Sequence, residues 1–176
     1  GGVVVLWTRG HRDFYLSHRD GMAIVALGWI VAGLAACLPY LFSGAIPDFT
    51  DAYFESMSGF TTTGASILTD IEAVPQGILL WRAQTQWLGG MGIIVLSIAI
   101  LPFLSIGGMR LFKTESSDWS DKVAPRSGSV AKSVGSIYVA LTLLCGASYW
   151  LAGMQGFDAV VHAMTTVATG GYANYD

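Results

Sequence analysis

The stretch Phe54-Glu55-Ser56-Met57-Ser58-Gly59-Phe60-Thr61-Thr62-Thr63-Gly64-Ala65-Ser66 changes character at its midpoint. Residues 51–60 read as a short helix, with Thr50 or Asp51 as its cap and an acid near its positive N-terminal end. The six residues after Phe60 are small or β-branched and continue a helix poorly. On either side lie runs free of Asp, Glu, Lys, Arg and His, from Gly21 to Pro47 and from Ala83 to Met109. Each exceeds the roughly 20 residues that a spanning helix needs. The segment from Pro47 to Gly77 is too long for a tight turn and too mixed for a further span. Span, half-helix, Thr/Gly strand and span together predict a re-entrant loop.

Composition supports a bilayer as the solvent. Of the 176 residues 53% are hydrophobic and 12% charged, where a soluble domain carries about a quarter charged. A third uncharged run, Ser133 to Phe157, follows the first two, and three such runs would be hard to bury in a soluble protein of this size. The chain begins at Gly1 without a signal peptide pattern. It is expected to start at the tail of an earlier segment and to stop before its last unit is closed. Cys37 and Cys145 fall inside spanning runs without ligand spacing, and read as small packing residues.

The order of features recurs. A shift of 107 residues places Asp51-Ala52 on Asp158-Ala159, Met57 on Met164, Ser58 on Thr165, Thr62 on Thr169 and Gly64 on Gly171. Each copy runs from a span through an Asp-led amphipathic stretch into Thr-x-Gly. The expected organisation is therefore a juxtamembrane segment over 1–20, a first helix–loop–helix unit over 21–106, a linker over 107–132, and a second unit over 133–176 that lacks its closing helix.

Basic residues collect on the cytoplasmic side of spanning helices. Arg9, Arg12 and Arg19 precede the first span, and Arg110, Lys113, Lys122, Arg126 and Lys132 separate the second from the third. Eight of the nine Lys and Arg residues thus share one side, with Arg82 opposite. The N-terminal stretch and the 107–132 linker are expected to be cytoplasmic, and the face carrying Asp48, Asp51, Glu55, Asp70, Glu72, Asp158 and Asp176 external. Acidity at an outer mouth would concentrate cations, although external loops need only be polar.

Non-helical backbone at membrane depth is tolerated where it is buried in protein or lines a wet cavity. Its carbonyls can replace the water shell of a monovalent cation. Glycine reaches backbone angles that strain other residues, and a half-helix aiming its negative C-terminal end at the cavity favours a cation there. Other features have plainer readings. Gly89-Gly90-x-Gly92 lacks a preceding strand and a following Lys-Ser/Thr, so close helix packing explains it. His162 reads as a packed polar residue near the external surface rather than a metal ligand. Glu55 is equally suited to attracting ions or to simple hydrogen bonding. Trp81, Trp87, Tyr149 and Trp150 suit an interfacial belt.

Three blocks carry a family resemblance. Phe54 to Ala65 looks like the first pore loop of TrkH-type subunits in the Trk/Ktr/HKT superfamily. Trp81-Arg82 through Gln86-Trp87-Leu88-Gly89-Gly90-Met91-Gly92-Ile93-Ile94-Val95-Leu96 resembles the helix after it, and Thr166-Val167-Ala168-Thr169-Gly170-Gly171-Tyr172 resembles the second pore loop. The resemblance covers residue 19 to the end. It implies an all-α integral membrane protein in which four helix–pore loop–helix units surround one pore with pseudo-fourfold symmetry, as in potassium channels.

By position, Thr62, Thr63, Gly64 and Ala65 would supply one quarter of a potassium selectivity filter, and Thr169, Gly170, Gly171 and Tyr172 the next. The resemblance further implies potassium as the transported substrate with no cofactor, a homodimer, a cytoplasmic TrkA-type nucleotide-binding ring as regulator, and the bacterial inner membrane as location. No nucleic-acid partner is expected. A piece of this length, holding two units, should not conduct. Two other classes compete. A broken-helix secondary cation transporter, sodium- or proton-coupled, predicts inverted repeats, whereas both spans that precede a loop here run from inside to outside. An intramembrane hydrolase needs a nucleophile–base pair or a metal motif at membrane depth, and neither is visible.

Overall fold

A computed structural model describes residues 18–100 and 123–175, with side chains over 19–96 and 132–175. Two compact units are distinguished, Gly1–Ala32 and Gly33–Asp176. The described part of the first is the leading portion of helix α1 (His18–Ala36), which exposes Met22, Ile24, Leu27 and Val31.

The second unit holds the end of α1, then α2 (Leu38–Ser43), α3 (Phe49–Phe60), α4 (Gln76–Ile100), α5 (Val123–Leu151) and α6 (Gly156–Val167). No strand occurs among the described residues. Helix α4 is the hub, packing against α2, α3, α5 and α6. Close approach at α4 is secured by glycines. A Cβ on Gly89 would stand 2.1 Å from the Phe60 carbonyl oxygen, and one on Gly90 2.7 Å from the Tyr138 hydroxyl. These contacts are the small-residue packing expected of the Gly-Gly-x-Gly run.

Polarity is distributed as a bilayer solvent requires. Glu55, Ser56, Arg82, Thr85 and Gln86 are buried, while Leu143, Leu144 and Leu151 of α5 are more than half exposed. Among the described residues, two helical stretches are long and apolar enough to cross a membrane, Arg19–Ser43 and Lys132–Leu151, with mean hydropathies of 2.2 and 1.5.

Element boundaries differ from expectation in physically simple ways. The first apolar run breaks at Cys37, and Gly44, in left-handed conformation, ends α2. Helix α3 starts two residues early because Asp48 is its cap, accepting from the amides of Thr50 (2.8 Å) and Asp51 (3.1 Å). Neither Thr50 nor Asp51 has that role. Helix α4 begins at Gln76 and so carries Arg82 within it. Helix α5 begins at Val123, inside the expected linker, and ends at Leu151, well before Phe157. The N-terminal segment before His18 and the linker over 107–122 lie outside the described residues.

Three of the four aromatic residues expected in an interfacial belt make bonds that join helices. The Trp81 indole N–H donates to the Ala36 carbonyl (3.0 Å). The Trp87 indole donates to the Thr142 hydroxyl (3.0 Å) and packs on the Tyr138 ring. Tyr149 and Thr166 share a hydroxyl bond (3.0 Å), leaving Trp150 as the exposed member of the four.

Candidate functional site

Helix α3 ends at Phe60 and α6 at Val167, and the chain leaves both ends in the same way. The amide of Thr61 donates to the Met57 carbonyl, that of Thr62 to Gly59, and that of Thr63 to Ser58. In α6 the amide of Ala168 donates to Met164, that of Thr169 to Thr166, and that of Gly170 to Thr165. The 107-residue shift maps each bond onto its counterpart.

Backbone angles repeat as well. Thr62 and Thr169 are the described non-glycine residues with positive φ, at 54° and 55°, and Gly64 and Gly171 follow at 77° and 81°. A β-branched residue in that region is strained, and strain of this kind collects at functional sites. Among the described residues, no hydrogen bond reaches the carbonyls of Thr62, Thr63, Gly64, Thr169, Gly171 or Tyr172. Two other expected carbonyls are engaged within the protein. That of Ala65 accepts from the Ser58 hydroxyl, and that of Gly170 from the Gln86 amide nitrogen (2.9 Å).

The two loops are brought together. A Cβ on Gly64 would lie 2.1 Å from the Gly170 carbonyl oxygen, so the first loop passes directly against the second. Thr61, Thr63, Ala65, Thr169 and Gly171 are exposed, whereas Gly170 and the Tyr172 side chain are buried.

Behind the loops stands a polar brace that sequence reasoning left largely unassigned. Glu55, fully buried, pairs with the Arg82 Nε at 2.8 Å. Its carboxylate also accepts from the Ser66 hydroxyl (3.0 Å) and the Ile67 amide (3.1 Å). The Arg82 guanidinium donates onward to Ser66 (3.1 Å) and to the Ala173 carbonyl (3.4 Å), and its Cζ sits 4.1 Å from the Tyr172 ring centroid. The Tyr172 hydroxyl donates to the Glu55 carbonyl at 2.9 Å. Glu55 thus has the hydrogen-bonding role rather than an exposed, ion-attracting one. The signal available in the sequence was the isolated Arg82 on an otherwise acidic side, which a lone buried charge needs a partner to explain.

Asp158, the counterpart of exposed Asp51, is buried, and it accepts from the Asn174 amide (2.7 Å) and the Tyr175 hydroxyl. Those two donors hold its carboxyl below the usual aspartate range. His162 is half-buried, with its Nδ1 2.9 Å from the Asp158 carbonyl and its ring against Tyr149 and Tyr175. This is the packed polar role expected. No cluster of three or more His, Cys, Asp or Glu suited to a metal occurs among the described residues.

The family model TrkH, described as a cation transport protein, matches residues 2–176. The Trk system potassium uptake protein TrkI of Halomonas elongata is 56% identical over 153 residues, which cover 87% of this chain and 31% of that protein. TrkH of Escherichia coli K12 is 44% identical over 179 residues, covering 99% of this chain and 37% of that one. The crystal structure of the potassium transporter TrkH from Vibrio parahaemolyticus superposes with a TM-score of 0.79 at 42% identity, across 99% of this chain and 35% of that one. The chain therefore spans about a third of the length of the relatives it matches. With its repeated helix–loop pattern and all-helical described structure, it belongs to the TrkH family of membrane cation transport proteins.

Proposed function

We propose that the protein containing this chain takes up potassium, and that the two Thr/Gly loops form adjacent quarters of its selectivity filter. The observation that carries this reading is the paired geometry of the loops. Thr62 and Gly64, like Thr169 and Gly171, have positive φ, the two loops meet at Gly64 and Gly170, and the carbonyls of these four residues lack internal partners among the described residues. Inward-facing carbonyls can substitute for the hydration shell of a monovalent cation without any formal charge. Thr62, Thr63, Gly64, Thr169, Gly171 and Tyr172 would contribute these oxygens. Ala65 and Gly170, whose carbonyls are engaged, would shape the backbone instead. The names of the relatives, all potassium uptake proteins, support the choice of ion.

The same reading includes four such units in pseudo-fourfold array, a homodimer, a TrkA-type cytoplasmic regulator and the bacterial inner membrane, with the N-terminus and the 107–132 linker cytoplasmic. The broken-helix symporter is the less favoured alternative, because it predicts inverted repeats, whereas the distribution of basic residues has both spans that precede a loop running from inside to outside. An enzymatic role has no support among transport relatives. The test is potassium-limited growth and rubidium uptake in cells without their own uptake systems, expressing the full-length protein. Wild type should rescue, and Gly64→Asp, at equal membrane abundance, should not. Rescue that survives the substitution would remove the Thr/Gly loop from the ion path.

A further inference from the structure

Gln86 lies on α4, the helix that follows the first loop, yet both its side-chain hydrogen bonds are to the second loop. Its amide nitrogen donates to the Gly170 carbonyl (2.9 Å), and its amide oxygen accepts from the Tyr172 N–H (3.2 Å). The side chain is fully buried. A Cβ on Gly170 would meet the Gln86 amide group at 2.3 Å, so a side chain there would push that amide out of its present position, whereas the corresponding position in the first loop holds Thr63.

The contact has a directional consequence. The Tyr172 N–H and the Gly171 carbonyl belong to one planar trans peptide and point in opposite directions. Anchoring the N–H on Gln86 aims the Gly171 oxygen away from that side chain, and Gly171 itself is exposed. Glycine at φ 81° has no side chain to hold that peptide, so the orientation depends on its neighbours. Arg82, one helical turn earlier, reinforces the grip through the Ala173 carbonyl and the Tyr172 ring.

We infer that Gln86 is a positioning residue for the second loop, and that by fixing the Gly171 peptide it sets the discrimination among monovalent cations. This rests on the loops being the ion path. The test uses the full-length protein with Gln86→Met, which keeps the bulk and removes both hydrogen bonds. Trp87→Phe, which loses a helix–helix bond of similar length away from the loops, serves as control.

Two readouts are taken. Exchange of the Tyr172 amide, which loses its acceptor, should accelerate by roughly three- to tenfold, the range expected for one lost hydrogen bond, and exchange in 61–65 should remain unchanged. The ratio of rubidium to sodium uptake should fall severalfold with Gln86→Met and hold with Trp87→Phe. Faster exchange with an unchanged ratio would overturn the specificity role, and unchanged exchange would overturn the positioning itself. Should Gln86→Met fail to accumulate, Gln86→Asn decides. It keeps the amide but draws it back from the loop by one methylene, and should lower the ratio by a smaller factor; an unchanged ratio would overturn the inference. If wild type takes up neither ion, the transport reading fails, while the exchange experiment still tests whether Gln86 holds the loop.

Discussion

Gly64 and Gly171 have nearly the same φ but different surroundings, and alanine at each should separate two costs. Both positions charge an L-residue roughly 1–2 kcal/mol for the left-handed region. At Gly171 nothing else opposes a methyl group, since the space beyond is open. At Gly64 the methyl would stand 2.1 Å from the Gly170 oxygen, a backbone atom that cannot swing aside. Gly64→Ala should therefore be the more damaging by at least a further ~1–3 kcal/mol, typical of overpacking. Thermal unfolding of the detergent-solubilised protein, compared between the two variants, checks the order. The need for glycine at both positions was legible in Thr-x-Gly. The collision at Gly64 was not, because it depends on a residue more than a hundred positions away.

Helix α6 shows how an element can be closed by the chain that follows it. Asp158 in its first turn is covered by Asn174 and Tyr175 once the loop has doubled back. Because those bonds lower the folded-state pKa, Asp158 stabilises the fold above the ordinary aspartate pKa of about 3.9. That contribution is lost as pH falls through the depressed value. Unfolding midpoints measured from pH 6 down to pH 3 should decline in wild type and decline less steeply in Asn174→Ala, which starts from a lower stability. Equal slopes would mean that the Asn174 bond does not set the ionisation. An Asp near a helix start was readable from the repeat alone. Its burial was not, since Asp51 in the same place on α3 is exposed.

Across the molecule, local order was legible and lateral connection was not. The apolar runs, the half-helices and the 107-residue repeat are written in short-range patterns, and the helices and loops appear nearly where those patterns put them. The brace is assembled from Glu55, Arg82 and Tyr172, which come from α3, α4 and the second loop. No periodicity relates such positions. Their burial makes a strong prediction about charge. Arg82→Met or Glu55→Gln alone should cost roughly 3–5 kcal/mol, the usual penalty for stranding a buried partner, whereas the double substitution should cost clearly less than the sum. A double-mutant cycle on the unfolding free energy tests this, and simple additivity would show the pair to be uncoupled.

The resemblance of the loops ends at the backbone, and that has a consequence for the history of the chain. Tyr172 corresponds to Ala65, Gly170 to Thr63, and Asn174 to Ile67. A copy of the first loop pasted over the second would keep every main-chain bond, yet strip Arg82 of its ring, crowd Gln86 with a threonine and leave Asp158 uncovered. The two segments descend from a common pattern but have specialised to their neighbours. Each is fitted to the side chains behind it, so neither can now stand in for the other.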